Sequence, residues 1–286
     1  IMEVLGAVIA GGAVTQTLTE GLVGDALGHG EPTALMMLTA LLAAGSWITL
    51  ATWLDAPVST THSVVGGVMG AGIAAAGFGA INWGMMGAIA ASWVISPVLG
   101  GLSAAGFLWF IKARIIYQPD KIAAARKWVP VLVGIMAGAF AAYLALKGLK
   151  NLIDVSLGMA VLLGLGLGIA TWLVMIPVVR RQSEGLENRN KSLKVLFAIP
   201  LVVSAALLSF AHGANDVANA VGPLAAIVQA SQTGDFTHDV NIPLWVMLIG
   251  AFGISFGLFL FGPKLIRMVG SQITKLNPMR AYCVAL

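Results

Sequence analysis

Two short polar runs interrupt apolar sequence, and both carry residue types suited to ion chemistry. The first is Asp55-Ala56-Pro57-Val58-Ser59-Thr60-Thr61-His62-Ser63. Pro57 prevents a regular helix through this stretch. Ser59, Thr60, Thr61 and Ser63 place four hydroxyls in five residues. One reading is ordinary helix capping by Ser or Thr. The other is an anion cradle: a helix start offers free N–H groups and a partial positive charge, and a hydroxyl row adds donors without any Lys or Arg. The density of hydroxyls favours the ligand site.

The second run is His212-Gly213-Ala214-Asn215-Asp216-Val217-Ala218-Asn219-Ala220, continuing to Gly222-Pro223. An ionised carboxylate deep in a membrane is expensive unless paired, so Asp216 marks function by default. Asn215 and Asn219 are four apart and share a helix face, and Asp216 lies three before Asn219. These are hard oxygen ligands of the kind that suits small hard cations. Gly213 and Gly222 would let backbone carbonyls approach an ion. Polar glue between helices also explains the asparagines, but it explains the aspartate poorly.

The elements that must hold these runs follow from composition. The 286 residues are 58% hydrophobic and only 10% charged, against roughly 25% charged in soluble domains. Lipid is therefore the solvent for much of the chain. We expect an all-α, polytopic transmembrane helical bundle. Candidate spans lie at 1–14, 33–54, 58–80, 83–111, 128–146, 154–179, 195–228 and 243–262. Ser96-Pro97 should kink the fourth. The seventh is too long for one straight helix, so it should break at His212–Asp216. Gly66/Gly70 and Gly164/Gly168 have the spacing of close helix packing. Trp53, Trp83, Trp128 and Trp245 fall near span ends, as interface anchors do.

Every Lys and Arg lies after residue 111, mostly in three clusters, at 112–127, 180–194 and 264–280. The positive-inside rule makes these three regions cytoplasmic. The segments 15–32, 147–153 and 229–242 then lie outside. The formal charge of +4 thus marks orientation, and nucleic acid is excluded as a partner. The lone Cys283 excludes an internal disulfide. Both ends look cut, so a fragment is expected.

The Gly-containing stretch at 6–12 with its polar continuation at 15–23 is similar to 257–262 followed by 264–274. The two lie on opposite sides of the membrane, which would make them inverted copies; such repeats are typical of secondary transporters. Three segments are expected: 1–111 as the later part of a first inverted repeat, 112–194 as connecting helices and basic loops, and 195–286 as the start of a second repeat.

The His212–Ala220 run resembles the signature of the inorganic phosphate transporter (PiT) family. Pro57–Ser63 resembles that family's second recurring motif. In the family each motif occurs twice, once per inverted repeat; the missing copies would lie before Ile1 and after Leu286. The resemblance implies sodium-driven phosphate uptake by alternating access, through broken helices, in a plasma membrane such as the bacterial inner membrane. It implies that Ser59, Thr60 and Thr61 bind phosphate. It also implies that Asn215, Asp216 and Asn219 bind sodium near Asp216 and help hold the anion. A homodimer and a lipid bilayer are the implied surroundings, with no cofactor beyond the coupling ion.

Secondary candidates remain. Glu3 is either a further intramembrane carboxylate or a solvated one. His62 and His212 read as hydrogen-bonded core histidines more readily than as substrate contacts, and His29 and His238 as solvated. Proton coupling through Asp216, and sulfate as the cargo, are left open. A hydrolase drawn from Ser59, His62 or His212, and Asp216 lacks the usual Gly-x-Ser-x-Gly or His-Glu-x-x-His context. A channel fits inverted repeats with an ion-binding carboxylate less well than a carrier does.

Overall fold

A membrane interior offers no water to hydrogen-bond the backbone, so long apolar runs close their own bonds as helices. In the computed structural model, which describes residues 1–11, 31–147, 155–233, 242–268 and 277–285, the described residues are helical with short connections. The helices are α1 (Met2–Ala10), α2 (Glu31–Trp53), α3 (Thr60–Ala76), α4 (Trp83–Ile111) and α5 (Lys121–Lys147). They continue with α6 (Leu157–Gln182), α7 (Asn190–Leu196), α8 (Ala198–Thr233), α9 (Leu244–Met268) and α10 (Pro278–Ala285). Polar residues set the starts. Asn82, Asp120, Ser156 and Asn277 each accept a backbone N–H three residues on, from Met85, Ala123, Met159 and Arg280. Such caps satisfy amides that a helix start leaves without a partner.

Six of these helices are long and apolar enough to cross a membrane: Ala34–Trp53, Trp83–Ile116, Lys121–Lys147, Leu157–Gln182, Ala198–Gln232 and Leu244–Arg267. The chain is a multi-pass membrane protein. Two expected spans are shorter than the sequence suggested. The 58–80 segment yields the 17-residue α3 and a 3₁₀ turn at Phe78–Ala80, and 17 residues rise only ~26 Å against a core of ~30 Å. The 1–14 segment yields the 9-residue α1. Residues 12–30, 148–154, 234–241 and 269–276, which hold Glu20, Asp25, His29, Lys150, Asp235, His238, Asp239 and Lys275 and most of the segments expected at 15–32, 147–153, 229–242 and 264–274, lie outside the described residues.

The expected break at His212–Asp216 is absent. Helix α8 runs without interruption for 36 residues. The polar side chains there find partners on other helices, so the backbone has no reason to open. Helix α4 likewise continues through Pro97.

The chain packs as two units. The first comprises Ile1–Ile95 and Ser209–Ile273, the second Ser96–Leu208 and Thr274–Leu286. These borders fall inside α4 and α8, and they divide the chain differently from the expected repeat segments ending at 111 and 194.

In the first unit, two cores form. One joins α2 and α3 through Met37, Ala40, Val65 and Val68, with Ala226 of α8. The other joins α1, α8 and α9 through Ala7, Val217, Val221 and Met247. Glycine permits the closest approaches. A Cβ on Gly67 would stand 2.7 Å from the Ala40 carbonyl oxygen, while Gly66 and Gly70 have nothing within 4 Å. The packing position is thus Gly67 and not the expected Gly66/Gly70 pair, which faces away from α2.

In the second unit, α5 and α6 lie antiparallel, and Gly134 and Gly138 oppose Gly168 and Gly164. Here the sequence spacing at Gly164/Gly168 does mark packing. Arg126 donates from Nε to Ser183 Oγ at 2.6 Å, pinning the basic end of the pair. Tyr282 of α10 is fully buried and donates to the Leu132 carbonyl at 2.8 Å. Trp128 lies a turn or more inside α5, edge-on to Phe110 at 4.9 Å, and so is a packing residue here. Trp53, Trp83 and Trp245 stand at helix ends and are exposed.

Candidate functional site

The site belongs to the first unit and forms where the start of α3 meets α8. Ser59 adopts an extended backbone and caps α3: its Oγ accepts the His62 N–H at 3.3 Å, and its carbonyl accepts the Ser63 N–H at 3.1 Å. The amides of Thr60 and Thr61 are the first two of the helix and have no partner within it. Ser59 therefore serves as the cap that the plainer sequence reading offered.

Both threonines meet α8. Thr60 donates from Oγ1 to Asp216 Oδ2 at 3.4 Å. Asn219 donates from Nδ2 to Thr61 Oγ1 at 3.1 Å, and Asn219 is buried. The hydroxyl run and the carboxylate run, some 156 residues apart in sequence, thus share one polar seam. Asn215 does not join it. Its side chain is exposed and bonds none of the described residues; it lies one turn before Asn219 along α8.

On the other side of Asp216 stands His212. Its Nε2 is 3.0 Å from Asp216 Oδ2 and its Nδ1 is 3.3 Å from Glu3 Oε1. Glu3 is thereby a site carboxylate, with only 13% of its side chain exposed. His212 is half-exposed and bridges two acids, so it is not the buried core histidine expected. Both imidazole nitrogens can donate at once only when the ring is protonated at both, as the imidazolium cation. The bridge requires α1 to lie against α8, and two glycines make that possible. A Cβ on Gly213 would stand 2.6 Å from Glu3 Cα, and one on Gly6 would collide with the Phe210 carbonyl. His62 is exposed too: its ring lies 3.9 Å from the Trp93 ring, tilted by 40°, and it forms no ring hydrogen bond among the described residues.

Chemically, the seam offers carboxylate, amide and hydroxyl oxygens for a cation, and free N–H and O–H groups for an anion. It contains no Lys or Arg. Ser59, His212 and Asp216 are not assembled as a nucleophile, base and orienter, since the Ser59 hydroxyl faces its own helix start. Sequence reasoning missed one ion pair: Lys264 Nζ lies 2.6 Å from Asp55 Oδ1. The signal available was an acid directly after an apolar helix and two residues before a proline.

A family model described as the phosphate transporter family matches residues 1–286. The "Putative phosphate permease" of Helicobacter pylori strain J99 is 48% identical over 292 residues, covering 100% of this chain and 54% of its own. "Inorganic phosphate transporter 2-1, chloroplastic" of Arabidopsis thaliana is 33% identical, covering 99% and 52%. A solved structure titled "The sodium-dependent phosphate transporter" superposes with a TM-score of 0.90 at 35% identity, over 99% of this chain and 70% of that one. The chain spans about half the length of these two curated relatives.

Proposed function

The chain belongs to the phosphate transporter family, whose members are transporters and not enzymes, and on that premise we propose that it forms part of a sodium-coupled importer of inorganic phosphate working by alternating access. The observation that carries this reading is the seam itself: Thr60 on Asp216 and Thr61 on Asn219. The sodium-dependent structural relative at a TM-score of 0.90 supports the choice of coupling ion.

The seam suggests how coupling arises. With Asp216 ionised, the Thr60 O–H is directed at its carboxylate and is not available to an anion. A unit negative charge at 4 Å also opposes an incoming anion by about 4 kcal/mol near a protein surface, roughly a thousandfold in affinity. Sodium bound at Asp216 removes that repulsion and competes with Thr60 for Oδ2. The freed hydroxyl, the Thr61 hydroxyl and the two leading amides of α3 then hold the phosphate oxygens. Ser59 frames the turn, and Asn219 orients Thr61. An inverted second copy of each motif, a homodimer and a bacterial inner membrane complete the proposal.

Proton coupling is a second reading, favoured by one observation: His212 lies between Glu3 and Asp216, where a proton would be held by two acids. One experiment separates these readings. Phosphate uptake by the full-length protein is measured with and without sodium, with sulfate as competitor, in wild type and Asp216→Asn. Sodium-dependent uptake that is lost in the variant, despite normal membrane insertion, is expected. Unchanged sodium-dependent uptake in Asp216→Asn would refute the assigned role. Uptake that follows pH and ignores sodium would favour the proton, and strong inhibition by sulfate would change the cargo.

A further inference from the structure

Asp55 occupies a position that chemistry usually reserves for glycine. At the end of α2, the Asp55 N–H bonds the Thr52 carbonyl at 3.4 Å and the Ala56 N–H bonds the Ala51 carbonyl at 2.9 Å. That pair of bonds is a Schellman turn, whose pivot adopts a left-handed backbone and is most often Gly. Asp55 has φ 57° and is the one non-glycine with a positive φ among the described residues. A side chain here is unfavourable for the backbone, so its presence calls for a use of the carboxylate.

The use in view is the ion pair with Lys264 at 2.6 Å. Both side chains are more than half exposed, at 58% and 54%. A pair so exposed adds little to folding stability, so stability is a poor account of it. Location is a better one. Of the sixteen Lys and Arg, just Lys264 and Arg267 fall in the unit that holds the site. On α9, Gly250 packs against Val217 and Val221, level with Asp216. Lys264 lies ~21 Å further along the helix, toward the basic, cytoplasmic end. Asp55 precedes Ser59 by four residues, with Pro57 stiffening the link.

We propose that Asp55 and Lys264 are positioning residues for the anion site: their ion pair ties the α2–α3 turn to α9 and thereby sets where Thr60 and Thr61 stand against Asp216 and Asn219. This rests on the transport reading above. Beside the tie, the start of α3 meets the polar face of α8 through the two threonine contacts, and those are the contacts that ligand exchange must disturb.

The test measures KM and maximal rate of sodium-dependent phosphate uptake by the full-length protein in vesicles. The variants are Asp55→Gly, Asp55→Asn, Lys264→Gln, Lys264→Arg and the double Asp55→Asn/Lys264→Gln. Each charge-removing variant is expected to raise KM by about fivefold at little-changed maximal rate, the upper range for an exposed pair. The double variant should be no worse than either single, and Lys264→Arg should keep the wild-type KM. Asp55→Gly is decisive, because it suits the turn and still removes the charge. Wild-type KM in Asp55→Gly, or effects that multiply in the double variant, would overturn the proposal. Absence of sodium-dependent phosphate uptake in the wild type would instead defeat the transport reading beneath it.

Discussion

Replacing Gly213 with Ala should break the site without removing a polar side chain, because the new Cβ would collide with the Glu3 carbonyl oxygen. The new Cβ would lie 2.6 Å from Glu3 Cα and 2.7 Å from Glu3 C, where ordinary contact begins at 3.4 Å. Those are backbone atoms, so no side-chain rotation relieves the clash, and α1 must retreat by about 1 Å. The same retreat carries Glu3 Oε1 from its 3.3 Å separation to His212 Nδ1 beyond the range of an ion pair. Overpacking of this kind costs about 1–3 kcal/mol, and rigid partners on both sides place it toward the upper end. Gly70→Ala is the control. Nothing stands within 4 Å of its Cβ position, and Ala exceeds Gly in helix propensity by about 1 kcal/mol. Thermal melting of the purified protein should therefore move in opposite directions for the two variants, and phosphate uptake should fall only in Gly213→Ala. Equal melting temperatures, or full uptake by Gly213→Ala, would refute the α1–α8 contact and with it the place of Glu3 in the site.

Two further outcomes are expected. Gly138→Val should destabilise the second unit by about 1–3 kcal/mol, since even a Cβ there lies 2.8 Å from the Gly164 carbonyl oxygen; a melting temperature equal to wild type would contradict the α5–α6 packing. Cys283 sits in α10, which is not among the six spanning helices, and burial pushes its thiol up to about 11. Because only the thiolate reacts, roughly one thiol in ten thousand is reactive at pH 7. Maleimide labelling should be slow at pH 7 and quicken as pH rises toward 11; rapid labelling at pH 7 would show that α10 is not buried.

Much of this was legible in the sequence because a membrane simplifies the code. Uninterrupted apolar length forces helix, so α2, α4, α5, α6 and α9 could be read directly. Thr60, Thr61, Asp216 and Asn219 announced themselves as polar groups in an apolar setting. Four things escaped for physical reasons. The continuity of α8 depends on partners supplied by distant helices, which periodicity cannot show. Asn215 and Asn219 share a face of α8 a turn apart, but the start of α3 meets only Asn219, which depends on where the two helices cross. The acid at Glu3 and the pair at Asp55 and Lys264 depend on which helix ends meet, a property of tertiary packing. Gly213 was read as letting a backbone carbonyl approach an ion, whereas its absent side chain makes room for another helix.

The unbroken course of α8 has a chemical corollary. From His212 to Asn219 its peptide oxygens are committed to the helix's own ladder, so on the transport reading a cation at Asp216 would draw its α8 ligands from side chains alone. Recognition built this way differs from a filter of main-chain carbonyls, whose ligands are the same whatever residues carry them. Here each donor is a separate gene-encoded choice, and ionic preference can be rewritten one codon at a time while the scaffold stays intact.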